Sequence, residues 1–537
     1  MNTTRRSVIA GGAAVLAAAG VPAIRTARAA PAPARTLRAV MHADLRVLDP
    51  IWTTATITTI HGGLIYDHLF ALDAEFKPQP QMVGRWGISD DKLAYTFELR
   101  DGLMFSDGSP VTAADCVASV RRWAARDGGG QHLFRRVKDT PVVDDKTFRI
   151  VLSEPYGLLL DALAKLESSN CFIMRRREAE TDPSQQVRET IGSGPFLFNR
   201  DETRPGNRYV YDRNPNYRPR PEPVSGAAGG KLVKLDRVIL ENIADEQTAL
   251  SALQAGEIDF YEVPPQDLIE QLEQDPNLVV QALNKSGDIG HMRLNHLHPP
   301  FDNVDARRAM QHLVRQEDVM RAIFGPSKYW RTCASYFACG SAMENDANTD
   351  WFKAGPNVAR AKELFRKAGY DGRPLVLLQA TDFYFANSPV LLVAQWLREA
   401  GVNVDVAASD WGGVLTRRAV KKPPAEGGWN IFVTTSSGWT FSGPINFSGH
   451  MATGESAWFG WPTNPLHEQL RDRWAAAATL DERKEIARQL QRNAWDYVHY
   501  VGLGQFFRNS AWRKNITGVI GMPEVVGFWN MEKSASG

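Results

Sequence analysis

The sequence predicts an α/β protein, and two observations carry the prediction. Segments with the two-residue period of strands alternate with segments of helical period through both halves of the chain. The chain is also 537 residues long, room for two or three domains, and it shows no internal repeat that would point to a solenoid or propeller.

The elements follow in order. Leu37 to Leu48 starts as a strand and breaks at Asp49-Pro50. Thr53 to Thr59 is a Thr-rich loop, and helical spacing resumes from His61 to Phe70. Leu93 to Arg100 puts Tyr95, Phe97 and Leu99 on one face and Thr96, Glu98 and Arg100 on the other, a half-buried strand. Two Asp-Gly turns then bracket a short strand at Leu103 to Phe105. Thr112 caps a helix with Asp115 as its capping-box partner, and Gly128-Gly129-Gly130 ends that region.

Thr147 to Leu152, Phe196 to Phe198, Tyr209 to Tyr211 and Val238 to Asn242 read as strands, with a Pro/Gly-rich excursion over 219–230. Asp245 caps a helix that Gly256 stops. Beyond it, strands are expected at Met292 to Asn295, Leu375 to Gln379 and Gly401 to Val406. Helices are expected at Ala306 to Leu313, Ala359 to Ala368 and Val390 to Ala400. Thr479 with Glu482 forms a second capping box, ahead of a stripe of Ile486, Leu490, Ala494 and Val498.

The N-terminus carries Arg5-Arg6, an apolar run from Val8 to Ala19 and the small-x-small site Ala27-Arg28-Ala29. This is the pattern of a twin-arginine export signal over 1–29. The run is too short and too rich in Ala and Gly to anchor the chain in a bilayer. The expected compartment is therefore the periplasm. Lys and Arg number 62 against 61 Asp and Glu, and four of the Arg lie in the signal, so the remainder is slightly acidic. That balance gives no reason to expect nucleic acid as a partner. Four Cys make no disulfide framework. Cys333 and Cys339 are near enough to bridge, though spacing alone leaves bridge and thiols both open.

Several segments, in this order, resemble the extracytoplasmic solute-binding proteins of ABC importers, family 5, the dipeptide/oligopeptide/nickel class. They are Tyr95 to Asp115 (YTFELRDGLMFSDGSPVTAAD), Ile191 to Pro195 (IGSGP), Arg213 to Tyr217 (RNPNY), Ala252 to Asp259 (ALQAGEID), Pro299 to Ala309 (PPFDNVDARRA) and Ala361 to Tyr370 (AKELFRKAGY). The resemblance implies a two-lobed periplasmic binding protein of type II, cluster C, with an extra subdomain in the first lobe. By that analogy lobe I takes 36–68, 191–288 and 502–537, the extra subdomain 69–190 and lobe II 289–501. The hinge crossings fall near Asn295 and Gly502. The implied job is capture of a small-molecule or peptide-like ligand by a monomer that delivers it to the membrane permease subunits, with no covalent chemistry. An exported hydrolase using Ser193, or a periplasmic sensor or chaperone on the same fold, are the rival readings.

In peptide-binding members an Asp shortly after a Gly-Trp pair holds the ligand's ammonium. The matching stretch here, Gly438 to Asn446 (GWTFSGPIN), has no acid, and Asp410 and Glu455 are the nearest carboxylates in sequence. Ordinary peptides with a free N-terminus are thus expected to bind poorly. The ligand is expected to touch Trp52, Thr53 and Thr54 on the first lobe, and Trp411, Trp439, Thr440, Phe441 and Asn446 on the second. Arg417, of the pair Arg417-Arg418, is expected to meet a carboxylate, and Trp458 and Trp461 add to the aromatic set. His291, His296 and His298 follow no ligand spacing, so neither metal nor cofactor is expected.

Overall fold

Thr36–Val40 lies at the centre of a seven-stranded sheet in the computed structural model, which describes residues 35–534 except 167, 168, 326, 478 and 524. The expected export signal falls outside the described residues. The central strand pairs in parallel with Arg237–Glu241 and Phe260–Tyr261. Antiparallel strands Arg208–Arg213 and Phe196–Arg204 widen one side, and Asn509–Arg513 and Leu278–Ala282 the other.

A second sheet of six strands is built on Asp288–Leu294, buried along its whole length. Ile431–Ser437 and Tyr500–Phe506 flank it antiparallel, and Leu375–Ala380 and Val404–Ser409 continue the sheet in parallel. A four-stranded antiparallel sheet of Val83–Ile88, Ala94–Leu99, Thr147–Leu152 and Val137–Asp139 stands apart from both. Apolar side chains pack in two clusters, one mainly around the first and third sheets and one mainly around the second. No helix of the described residues is long and apolar enough to cross a membrane.

Local sequence accounts for much of this. Ala94–Leu99 alternates buried and half-buried as its pattern requires. Both capping boxes form, on helices Ala113–Arg126 and Leu480–Tyr497. Asp245 caps Glu246–Ala255, and Gly256 ends it in the left-handed region.

Other expectations are corrected. The first helix, Thr56–Ile65, starts inside the Thr-rich stretch, because its first turn buries Ile57, Thr58, Thr59 and Ile60. Gly128-Gly129-Gly130 opens a helix, Gly128–Phe134, instead of closing one. The carboxylate of Asp127 caps it, and a Cβ on Gly130 would lie 2.6 Å from Ala124. Leu103 to Phe105 contributes only the bridge Met104 to Pro110. The choice that spacing left open at Cys333 and Cys339 falls to a disulfide, and Cys116 and Cys171 are buried thiols, so there no expectation is overturned.

The passages between the two large sheets also differ from expectation. Among the described residues the chain crosses at 283–287 and at 507–508. The expected crossings near Asn295 and Gly502 sit at the far ends of Asp288–Leu294 and Tyr500–Phe506. These two strands pair with each other over most of their length, so both belong wholly to the second sheet.

Candidate functional site

A cavity opens between the two large sheets. From the first sheet come His42, just past the end of Thr36–Val40, and Thr54, Ala55 and Thr56, on the loop into the first helix. The break at Asp49-Pro50 is what shapes that loop. The Asp49 carboxylate accepts from the amides of Ile51 and Trp52 and, with its other oxygen, from the buried Arg122 at 2.7 Å. His42 Nδ1 lies 2.8 Å from the Glu262 carboxylate, which follows the neighbouring parallel strand. Burial raises the Glu262 carboxyl, but His42 outweighs it and holds the group below its usual range.

The second sheet supplies Thr434, Thr435 and Ser436 from Ile431–Ser437, and Phe447 and Trp458 from the long loop that follows. Helix Trp411–Arg417, capped by Asp410, supplies Trp411 and Leu415, and Arg418 follows at its end. Positions 411, 415 and 418 are i, i+4 and i+7, one face of a helix, and that face lines the cavity. Arg417 is turned about 100° from Arg418. Its guanidinium donates instead to the carbonyls of Gly427 and Gly428.

Arg418 dominates the electrostatics. It is 3% exposed, and its Nη2 donates to Thr54 Oγ1 across the cleft at 3.2 Å. Phe459, Trp458, Trp411 and Phe432 surround its guanidinium at 4.5–5.7 Å. Among the described residues it has no carboxylate within salt-bridge distance, and its Nε makes no hydrogen bond. Burial alone pushes its pKa down to about 9. The other arginine at the cavity, Arg508, differs. It makes a two-pronged pair with the buried Asp288, at 2.9 and 3.0 Å, which outweighs burial and holds it above the guanidinium range.

Of the nine expected contacts, Thr54 and Trp411 line this cavity. Trp52 gives its indole N–H to Ser184 O, and Thr53 Oγ1 accepts from the Ala55 amide. The Gly438 to Asn446 stretch turns inward. Trp439 N–H donates to Ser286 Oγ, and Thr440 is buried against Ser437. Phe441 packs on His291, Phe447 and His450, and Asn446 reaches back to Trp439 O and Ser442 Oγ.

The candidate acids are engaged elsewhere: Asp410 pairs with Arg46 at 2.6 Å, and Glu455 with Lys421. His291 and His296 are buried, and His298 Nε2 meets the Lys421 carbonyl. Among the described residues no group of three or more His, Cys, Asp or Glu could hold a metal. Sequence reasoning missed His42, Arg508, Thr434 and Ser436, which reach the cavity only through tertiary pairing. Arg418 was within reach of helical phase alone.

The lobes touch elsewhere too. Asp472 faces His132 at 2.6 Å, Arg135 at 3.1 Å and Arg136 at 3.5 Å across from the third sheet's subdomain. Burial raises the Asp472 carboxyl, but the hydrogen bond from His132 and the charges of Arg135 and Arg136 hold it down at about 2.

Comparison with known proteins places this geometry. The model of the bacterial extracellular solute-binding proteins, family 5 middle, matches residues 77–458. The probable peptide ABC transporter periplasmic-binding protein y4tO of Sinorhizobium fredii is 47% identical, over 99% of this chain and 100% of that one. A glutathione-binding protein GsiB of Escherichia coli O6:K15:H31 is 25% identical, over 91% of this chain and 93% of its own. Among solved structures, AgaA of A. tumefaciens R10 with agropinic acid matches with TM-score 0.78 at 20% identity, over 93% and 99% of the two chains. DppA of Helicobacter pylori with peptide STSA matches at 0.77 and 20%, over 93% and 98%. Those two likenesses establish the two-lobed fold. With the family model spanning most of its length and a relative at 47% identity, the chain belongs to family 5 of the bacterial extracellular solute-binding proteins.

Proposed function

We propose that this protein is exported through its twin-arginine signal and captures, as a monomer, an organic solute bearing a carboxylate, which Arg418 anchors between the lobes. The observation that carries the reading is the Arg418 guanidinium, buried in the cleft with no carboxylate beside it. Burying an unpaired cation costs several kcal/mol, and a ligand carboxylate converts that cost into a charge-assisted, two-pronged hydrogen bond. Trp411, Trp458, Phe383 and Phe447 offer flat apolar faces, while Thr54, Thr434 and Ser436 offer hydroxyls. The relatives' names refer to peptide and glutathione, and the neighbours' structures hold a peptide and agropinic acid.

No carboxylate lines the cavity among the described residues, so a ligand ammonium would find no partner there. The preferred ligand therefore lacks a free amine at that end. Lobe closure turns on the crossings at 283–287 and 507–508, and the closed form is what the permease reads.

The reading is of a binder, not an enzyme. Ser193, the residue a hydrolase would use, sits in a turn pressed on Ile65 and Tyr66, where Cβ atoms on Gly192 and Gly194 would lie 1.8 and 2.6 Å from that backbone. Calorimetry with Met-Leu, N-acetyl-Met-Leu and agropinic acid tests the ligand class. Free dipeptides are expected to bind more weakly than millimolar. Micromolar affinity for Met-Leu would overturn the amine-free reading, and turnover lost in Ser193→Ala would overturn the binder reading.

A further inference from the structure

We propose that the Cys333–Cys339 disulfide braces the hinge: through the side-chain amide of Gln505 it locks the two interlobe crossings to one another. Gln505 lies near the end of Tyr500–Phe506, the strand that feeds the second crossing, and it is fully buried. Its Nε2 donates to two carbonyls, Ser286 O of the first crossing at 2.9 Å and Cys339 O of the disulfide loop at 3.1 Å. Its Oε1 accepts from Arg331 Nε at 3.2 Å, and the same guanidinium also donates to Cys339 O. One buried amide thus joins both crossings to the disulfide loop.

The other end of the loop is fixed as well. Gln316 clamps Cys333, accepting from its N–H at 2.7 Å and donating to its carbonyl at 2.9 Å. The same Gln316 Nε2 donates to Gly502 O, on the strand that carries Gln505. The bridge closes the short loop between these two anchors and removes its alternative conformations. Cys339 O is then held where Gln505 needs it.

The first crossing cannot absorb a shift in Ser286. A Cβ on Gly438 would lie 2.1 Å from Ser286 O. Gly287 has φ of +66°, and a Cβ there would lie 2.8 Å from Phe506 O. The disulfide makes the hinge a defined pivot, and breaking it loosens both crossings together.

Hydrogen exchange on the ligand-free full-length mature protein tests this without knowledge of the ligand. In Cys333→Ser/Cys339→Ser, amides of 284–288 and 505–508 are expected to exchange about tenfold faster, while those of 94–99 in the third sheet stay unchanged. Gln505→Ala with the disulfide intact should accelerate the same amides. Combining all three changes should add little more, because they cut one linkage.

If the serine variant fails to fold, the wild type reduced with a phosphine gives the same comparison. Water supplies the oxygen the phosphine gains and the two hydrogens of the new thiols as the S–S bond breaks. Acceleration confined to 333–339, or effects of Gln505→Ala and disulfide loss that add independently, would overturn the proposal.

Discussion

In the proposed reading, Arg418 trades stability for binding. Its guanidinium is desolvated, and Thr54 is its one hydrogen-bonded side-chain partner among the described residues. Arg418→Met keeps the apolar stem against Trp458 and Phe459 and removes the buried charge. The variant is expected to lose ligand affinity by about 10- to 100-fold, the worth of a hydrogen bond to a charged group. Its ligand-free urea midpoint is expected to hold or rise, since no carboxylate is left unpaired. A fall in both would contradict the assignment.

The buried histidines give a second prediction at this scale. Burial pushes His61, His68 and His467 down to about 3, with neighbouring arginines or lysines adding to it. In the unfolded chain each titrates near 6.5, so below that pH the unfolded state takes protons the folded state refuses. Stability from these groups is complete above about pH 6.5 and falls as pH drops toward 3, by about 1.4 kcal/mol per unit for each. Urea midpoints at pH 7 and pH 5 should show the loss, and His68→Asn should make it shallower.

Residue identity alone could not separate Arg417 from Arg418, but the helical phase with Trp411 and Leu415 does. His42 and Arg508 carried no local signal, because what places them is strand pairing between distant segments.

Helix Trp411–Arg417 is where an element makes the site. Asp410 caps it by accepting from the Gly413 amide at 2.6 Å, so the segment after strand Val404–Ser409 turns back with one face on the cleft. Capping was the most legible feature of the whole chain, since a Thr or Asp three residues before its partner needs no tertiary contact to be read. Thr479→Ala should remove one of the two reciprocal bonds of its box and cost about 1 kcal/mol, seen as a lower thermal midpoint with ligand affinity unchanged. Unchanged stability would show that the helix is held by packing alone.

Elements failed to read where packing overruled propensity. Three consecutive glycines joined a helix because Asp127 caps it, while Met451 crowds Gly128 and Ala124 crowds Gly130. A Thr run entered a helix because its hydroxyls and Ile side chains are buried together.

At the scale of the molecule, capture depends on two lobes that meet across one cleft. The α/β class followed from periodicity, but the division of strands between sheets did not. Tyr500–Phe506 and Asp288–Leu294 pair across more than two hundred residues of sequence, and no local pattern marks where the chain leaves one sheet. The ion pairs that span the cleft at the surface are secondary. Arg46 and Asp410 are both about half exposed, so Arg46→Ala should weaken binding by no more than about fivefold, the limit for an exposed pair, with the effect fading in salt. A larger loss would mean that the rim, not Arg418, holds the closed form.

The most direct test of the central claim is mass spectrometry of the molecule released from protein purified from its native periplasm, compared with that from Arg418→Met. The wild type is expected to release a carboxylate-bearing solute without a free amine at its other end, and the variant much less of it. A released molecule that is cationic or neutral, or one retained equally by Arg418→Met, would contradict that claim.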